Sequence, residues 1–171
     1  GLTRNAIAEK SHGLIALSGG REGDVGKALL AGNLEEAKRL AGRWQEIFPD
    51  AFYIELHRTG RSSEEDYNVL AVNLAIELGC PVVATNDVRF LAQDEFEAHE
   101  VRVCIHDGRT LDDPRRERRY SDQQYLKTAQ EMVELFADIP EALENSVEIA
   151  KRCNVSLCLL YTSDAADEED S

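Results

Sequence analysis

The chain contains no apolar run approaching the ~20 residues that a membrane-spanning helix needs, and no signal peptide is visible at its start. Basic residues are scarce: 19 Lys and Arg stand against 33 Asp and Glu, giving a formal net charge of −14. That balance argues against a surface that holds nucleic acid by bulk electrostatics. Cysteine is sparse as well. Cys80, Cys104, Cys153 and Cys158 show no CxxC spacing and read as reduced thiols of a cytoplasmic protein. The histidines, His12, His57, His99 and His106, form neither HxH nor HExxH, so a zinc site built within this chain is not expected. Repeats and low-complexity linkers are also missing. The first ten residues begin with Gly and show no clear helix cap, so the N-terminus reads as a cut.

What remains is an ordinary globular composition, 43% hydrophobic over 171 residues, enough for one domain with its own core. The organising stretch is Cys80-Pro81-Val82-Val83-Ala84-Thr85-Asn86-Asp87-Val88-Arg89-Phe90. Its short apolar run, bounded by Gly79-Cys80-Pro81 and Asn86-Asp87, has the pattern of a parallel strand buried on both faces. A carboxylate at the C-terminal mouth of such a strand stands where α/β barrels keep their chemistry, which singles out Asp87.

The remaining segments follow the same alternation. Residues 13–17 and 52–56 read as further strands, the first ending in Ser18-Gly19-Gly20. Residues 21–30 read as a short helix. Asn33 caps a stronger one, with Glu35 and Glu36 in its first turn and a buried face through Leu34, Ala37, Leu40, Ala41, Trp44, Ile47 and Phe48. Ser62 or Ser63 caps a helix whose apolar stripe is expected at Val69, Leu70, Val72, Leu74, Ala75 and Leu78. Strand–helix–helix–strand–helix–strand–helix is an α/β order with parallel connections. Three strands neither close a barrel nor shield both sheet faces, so this stretch is expected to be the later part of a larger barrel.

Beyond Asp94 the chain reads as largely helical. One helix ends at Asp107-Gly108, and residues 111–120 form a charged loop in which Arg115, Arg116, Arg118 and Arg119 are expected to be solvated. A Gln-rich turn follows from Ser121. Thr128 and Glu131 form a capping box for residues 129–136, and Pro140 opens a last helix reaching about Cys153. The organisation is thus a partial barrel over residues 1–110, a helical segment over 111–157, and a tail over 158–171. The tail run Cys158-Leu159-Leu160-Tyr161-Thr162-Ser163-Asp164-Ala165-Ala166-Asp167-Glu168 resembles a translated sequencing adapter and is read as non-native. Without its five acids the formal net charge falls from −14 to −9.

Two further stretches invite a chemical reading. Residues 18–27 are glycine-rich and end in Gly26-Lys27, but Arg21 stands where a P-loop needs its first glycine, and Ala28 replaces the magnesium-binding hydroxyl. These glycines are expected to serve a tight turn. His57 lies two residues after Glu55, hence on the same strand face, and is expected to be a surface or hydrogen-bonded histidine rather than a ligand.

The strand ends carry a specific resemblance. Ser18-Gly19-Gly20, Arg58-Thr59-Gly60-Arg61 and Val83-Ala84-Thr85-Asn86-Asp87-Val88-Arg89-Phe90 closely resemble the polymerase-and-histidinol-phosphatase (PHP) domain of bacterial DNA polymerase III alpha subunits. So do Leu111-Asp112-Asp113-Pro114 and Leu135-Phe136-Ala137-Asp138-Ile139-Pro140-Glu141-Ala142, and the likeness runs over residues 1–155. It implies an α/β fold: the later part of a distorted PHP-type β/α barrel followed by a mostly helical segment. It also implies a parent that is a cytoplasmic template-directed nucleotidyltransferase using magnesium in a palm outside this chain. The implied partners are the proofreading exonuclease, the clamp and, through the parent, DNA; no membrane and no cofactor of this segment are implied. Relatives with a working PHP site bind metal ions through His, Asp, Glu and Cys. Asp87 keeps the place of one such metal ligand, but Arg89 and Gly20 stand where those relatives have His and either Cys or His. A guanidinium has no lone pair to offer a cation, so Asp87 is read as a vestigial metal position free to pair with Arg89. The rival expectation, a stand-alone metal-dependent PHP phosphoesterase, requires His or Cys at both departing positions.

Overall fold

The computed structural model describes residues 3–155. Helix α1 (Arg4–Ala8) precedes strand β1 (Ala16–Leu17), and one 3-10 turn (Gly20–Glu22) leads into α2 (Asp24–Leu30) and α3 (Leu34–Ile47). Strand β2 (Phe52–His57), α4 (Glu64–Leu78) and β3 (Val82–Thr85) come next. A second 3-10 turn (Gln93–Glu95) opens α5 (Phe96–Asp107), and α6 (Ala129–Leu135) and α7 (Pro140–Arg152) close the described chain. The strands form a parallel sheet in the order β1-β2-β3, with Ala16 opposite Phe52 and Ile54, Glu55, Leu56 and His57 opposite Val82, Val83, Ala84 and Thr85. All three therefore end on the same side, which brings their C-terminal loops together.

The expected double-sided burial of β3 is present: Val82, Val83 and Ala84 are 8%, 1% and 4% exposed. Asn145 of α7 donates to the Val82 carbonyl at 2.8 Å, tying the last helix to this strand. The α3 cap forms as its sequence requires, with Asn33 Oδ1 accepting from the Glu36 amide at 3.2 Å. Its buried face is Ala37, Leu40 and Ala41, extended by half-buried Trp44, whose indole Nε1 donates to Asp24 at 3.1 Å. The Thr128–Glu131 capping box also forms, the Glu131 carboxylate accepting from the Thr128 amide at 2.7 Å.

Several expectations need correction. The first ten residues do contain a cap: the Thr3 hydroxyl accepts from the Ala6 amide and starts α1. The first strand is shorter than the apolar run 13–17, because the chain turns between Ser11 and Leu14 and pairs only from Ala16 onward. The helix expected over 21–30 begins at Asp24, after the 3-10 turn. The buried face of α4 is Tyr67, Asn68, Ala71, Leu74 and Ala75, whereas Val69 and Leu70 of the expected stripe are exposed. Arg116 is not solvated; it pairs with buried Glu100 of α5. In keeping with the expectation that three strands do not close a barrel, the sheet is open among the described residues. Among them, too, no helix is long and apolar enough to cross a membrane. The acidic tail and Cys158 lie outside the described residues.

Candidate functional site

Each strand delivers one loop to the shared mouth: Ser18-Gly19-Gly20 after β1, Arg58-Thr59-Gly60-Arg61 after β2, and Asn86-Asp87-Val88-Arg89 after β3. A fourth segment joins them. Residues 121–126 run beside the end of β3, with the Arg89 amide donating to the Gln124 carbonyl at 2.8 Å and Phe90 bridging to Tyr125. Asn86, buried, anchors this segment by donating to the carbonyls of Gln123 and Tyr125 at 3.1 and 2.7 Å.

Asp87 lies at the centre, in the left-handed backbone region at φ 43°. Its carboxylate is fully engaged. Oδ1 meets Arg89 Nη2 at 2.7 Å, while Oδ2 meets Arg61 Nη1 at 3.1 Å and accepts from Gln124 Nε2 at 2.9 Å. Arg89 thus pairs with Asp87 as its chemistry suggested, and Arg61 adds a second guanidinium. Behind Asp87 sits a buried network. Glu64 accepts from the Thr59 amide and hydroxyl, both at 2.6 Å, and from Arg61 Nε at 3.0 Å. Burial acts to raise the Glu64 pKa, but the Thr59 hydroxyl and amide and the Arg61 guanidinium outweigh it and hold the carboxyl below its usual value.

Glu55 and His57 share a strand face, as their spacing requires, with Glu55 Oε1 3.3 Å from His57 Nε2. The pair makes no aligned hydrogen bond, and both His57 ring nitrogens are buried without a hydrogen-bond partner. His57 is therefore not the surface residue expected; it is buried with its ring against the Glu55 carboxylate. Glu55 also accepts from the Thr85 hydroxyl at 2.6 Å and the Gly19 amide at 3.1 Å. Burial pushes its pKa up, but the His57 ring, the Thr85 hydroxyl and the Gly19 amide together bring it below the ordinary value.

Gly20 leaves no room for a side chain. A Cβ there would stand 2.6 Å from His57 Cε1 and Nδ1, and its φ is +56°. The imidazole fills the space that a side chain at residue 20 would use, and the backbone favours glycine. The glycine-rich loop is a close-packed turn: a Cβ on Gly23 would overlap the Ser18 carbonyl, and one on Gly26 the Gly20 carbonyl. Cys80 is no nucleophile either, because burial pushes its thiol up to about 11.

These residues do not fit a divalent cation. Asp87 turns both oxygens to cationic or amide donors, position 20 is filled by an imidazole, and Arg89 brings a positive charge. No group of three or more His, Cys, Asp or Glu side chains suited to a metal ion occurs among the described residues. What the mouth offers instead is guanidinium.

The roles of Gln124, Arg61 and Glu64 are not legible from the motifs. Gln124 is 0% exposed, yet its only sequence signal is a polar turn. The Arg61–Glu64 spacing does give a clue, since i and i+3 partners meet where a helix begins.

Residues 2–59 match the PHP domain family. Over 158 residues, 92% of its length, the chain is 56% identical to the DNA polymerase III subunit alpha of Pseudomonas fluorescens and 57% identical to that of Pseudomonas aeruginosa. The Escherichia coli subunit is 58% identical over the same share. The chain spans 14% of the length of each of these relatives. Over 92% of its length the chain is therefore similar to a segment of the bacterial DNA polymerase III alpha subunits, and within it residues 2–59 match the PHP domain family.

Proposed function

We propose that this chain is part of a replicative DNA-directed DNA polymerase, in which its PHP domain works as a scaffold rather than as an enzyme. The observation that carries this reading is the 56–58% identity to DNA polymerase III alpha subunits over 92% of the chain. In the parent, the open parallel sheet would be completed into the distorted barrel by strands outside these residues, covering edges that would otherwise invite aggregation. Template-directed nucleotidyl transfer would occur in a palm elsewhere in the parent, with magnesium held by carboxylates there. DNA, the clamp and the proofreading exonuclease would be partners of the parent, with this domain supporting the polymerase core and offering the exonuclease a docking face. The setting would be the cytoplasm.

Within the mouth, Asp87 is the remnant of a metal position, now neutralised by Arg89 and Arg61. The protein's own groups there hold a loop-to-loop junction: Arg89 and Gln124 clamp the β3 loop to residues 121–126, and Glu64 with Arg61 and Thr59 braces the β2 loop. The stand-alone phosphoesterase gains no support, because Gly20 and Arg89 supply neither ligand it needs.

Primer extension by the complete coding frame that carries this segment tests the reading. Template-directed incorporation of deoxynucleotides in magnesium is expected. A complete frame that extends no primer, but hydrolyses an aryl phosphate with manganese through Asp87, would replace it with the phosphoesterase.

A further inference from the structure

Helix α5 is held by a polar and aromatic cluster rather than by an apolar face: of its 12 residues only Glu100 and Cys104 are buried. The His99 ring stands edge-on to Tyr120, with 4.7 Å between centroids, and tilted to Phe90 at 5.5 Å. Phe90 in turn meets Phe96 at 5.9 Å. Next to this stack, Glu100 pairs with Arg116 of the loop before residue 121. Three polar atoms of the cluster, His99 Nδ1, Glu100 Oε1 and Arg116 Nε, are buried without a hydrogen-bond partner. His99 Nδ1 and Glu100 Oε1 lie 3.6 Å apart, too far for a hydrogen bond.

The surroundings of His99 suit a neutral ring. Glu100, its nearest acid, is already matched by Arg116, and the other charges that bear on the imidazole are the guanidiniums of Arg102 and Arg89. The remaining titratable neighbours are Tyr120, against the ring, and Cys104, beside Arg116. Burial lowers the His99 pKa below its ordinary value, with Arg102 and Arg89 acting the same way and Glu100 opposing. Arg89 lies over the Tyr120 ring, 5.5 Å from its centroid, and also holds Asp87 at 2.7 Å. The stack thus links α5 to the mouth through Tyr120 and Arg89.

We propose that His99 is a proton-sensitive latch: as the neutral imidazole it docks α5 and residues 111–120 on the mouth, and as the imidazolium it releases them. Protonation puts an unmatched charge into a buried aromatic cluster whose only close carboxylate is already paired. The inference goes beyond the scaffold reading and does not depend on it. Its sign is definite. The folded-state pKa is lowered, so the stabilisation is complete above the unfolded value of about 6.5 and drains away as pH falls from there through the folded value. Imidazole is the side chain whose ordinary charge change falls in this range.

Hydrogen exchange followed by mass spectrometry on the complete protein that carries this segment, between about pH 7.5 and 5.5, is the test. Rates are corrected for the intrinsic pH dependence of exchange, and the amides of α3 serve as internal reference. Relative to α3, exchange in α5 and residues 111–120 is expected to speed up about threefold or more on acidification. His99→Gln, which takes up no proton in this range, should abolish the acceleration. His99→Phe should do the same while keeping a ring in the stack. His106→Gln removes the other histidine of α5, which is exposed and faces Asp107, and should leave the acceleration in place. Equal exchange at both ends of the range in the wild type overturns the proposal. So does an acceleration that α3 shares, that survives both His99 variants, or that is lost with His106→Gln.

Discussion

Glu64→Ala is expected to destabilise the chain by about 3 kcal/mol, the lower end of the range for breaking a buried ion pair from one side. Glu64 is 2% exposed and the Arg61 side chain 8%, so the arginine cannot turn to water when its partner is lost. Asp87 still faces Arg61 at 3.1 Å, which is why the upper end of the range is not reached. The Thr59 amide and hydroxyl lose their acceptor at the same time. Glu64→Gln keeps the shape and one acceptor oxygen, so its cost should be smaller. The pH dependence has a definite sign. The folded-state pKa of Glu64 is lowered, so its contribution is complete above the unfolded carboxyl pKa of about 4.3 and drains away as pH falls from there through the folded value. Urea denaturation at neutral pH and at successively lower pH should therefore show the wild type and Glu64→Ala converging in acid. A gap of less than about 1 kcal/mol at neutral pH would mean that the network is not closed as described.

Phe136→Ala should cost about as much or more, about 3–5 kcal/mol, by opening a cavity under the last two helices. Phe136 is 0% exposed and belongs to the same core as Ala142 of α7 and the residues of β2. Its ring also carries the Arg58 guanidinium, 5.0 Å from the ring centroid. Arg58 in turn donates to the Leu135 carbonyl at 2.7 Å and forks onto Asp138 at 2.5 and 2.8 Å. The ring is thus both core and platform: it seats the arginine that ties the β2 loop to the turn between α6 and α7. Phe136→Leu keeps most of the volume and should lose clearly less stability than the alanine variant. Equal losses for the two would indicate that the cation–aromatic contact, and not the filled volume, dominates.

Much of the frame is legible in the residues themselves. The apolar runs of β2 and β3, the Asn33 cap, the Thr128–Glu131 box and Pro140 are local signals, and each forms the element it announces. The failures share a cause. The α4 face differs from the expected stripe because Val69 and Leu70 are apolar but turned outward, while polar Asn68 is buried to donate to the His57 carbonyl at 2.8 Å. Arg116 reads as part of a solvated run in the sequence because its partner, Glu100, lies 16 residues away on α5. Gln124 carries no periodicity at all, and its role appears only when residues 121–126 are laid beside the end of β3. In the site, the Asp87–Arg89 pair was legible from residue chemistry. The second guanidinium from Arg61 and the imidazole packed against Gly20 depend on long-range packing.

The central claim is that guanidinium has taken the place of a divalent cation at Asp87. The most direct measurement is the content of bound zinc, manganese and iron in the complete protein that carries this segment, compared with its Asp87→Ala variant. The account predicts well below one metal ion per chain in both, with no difference between them. One equivalent of metal in the parent protein, lost on Asp87→Ala, would contradict it.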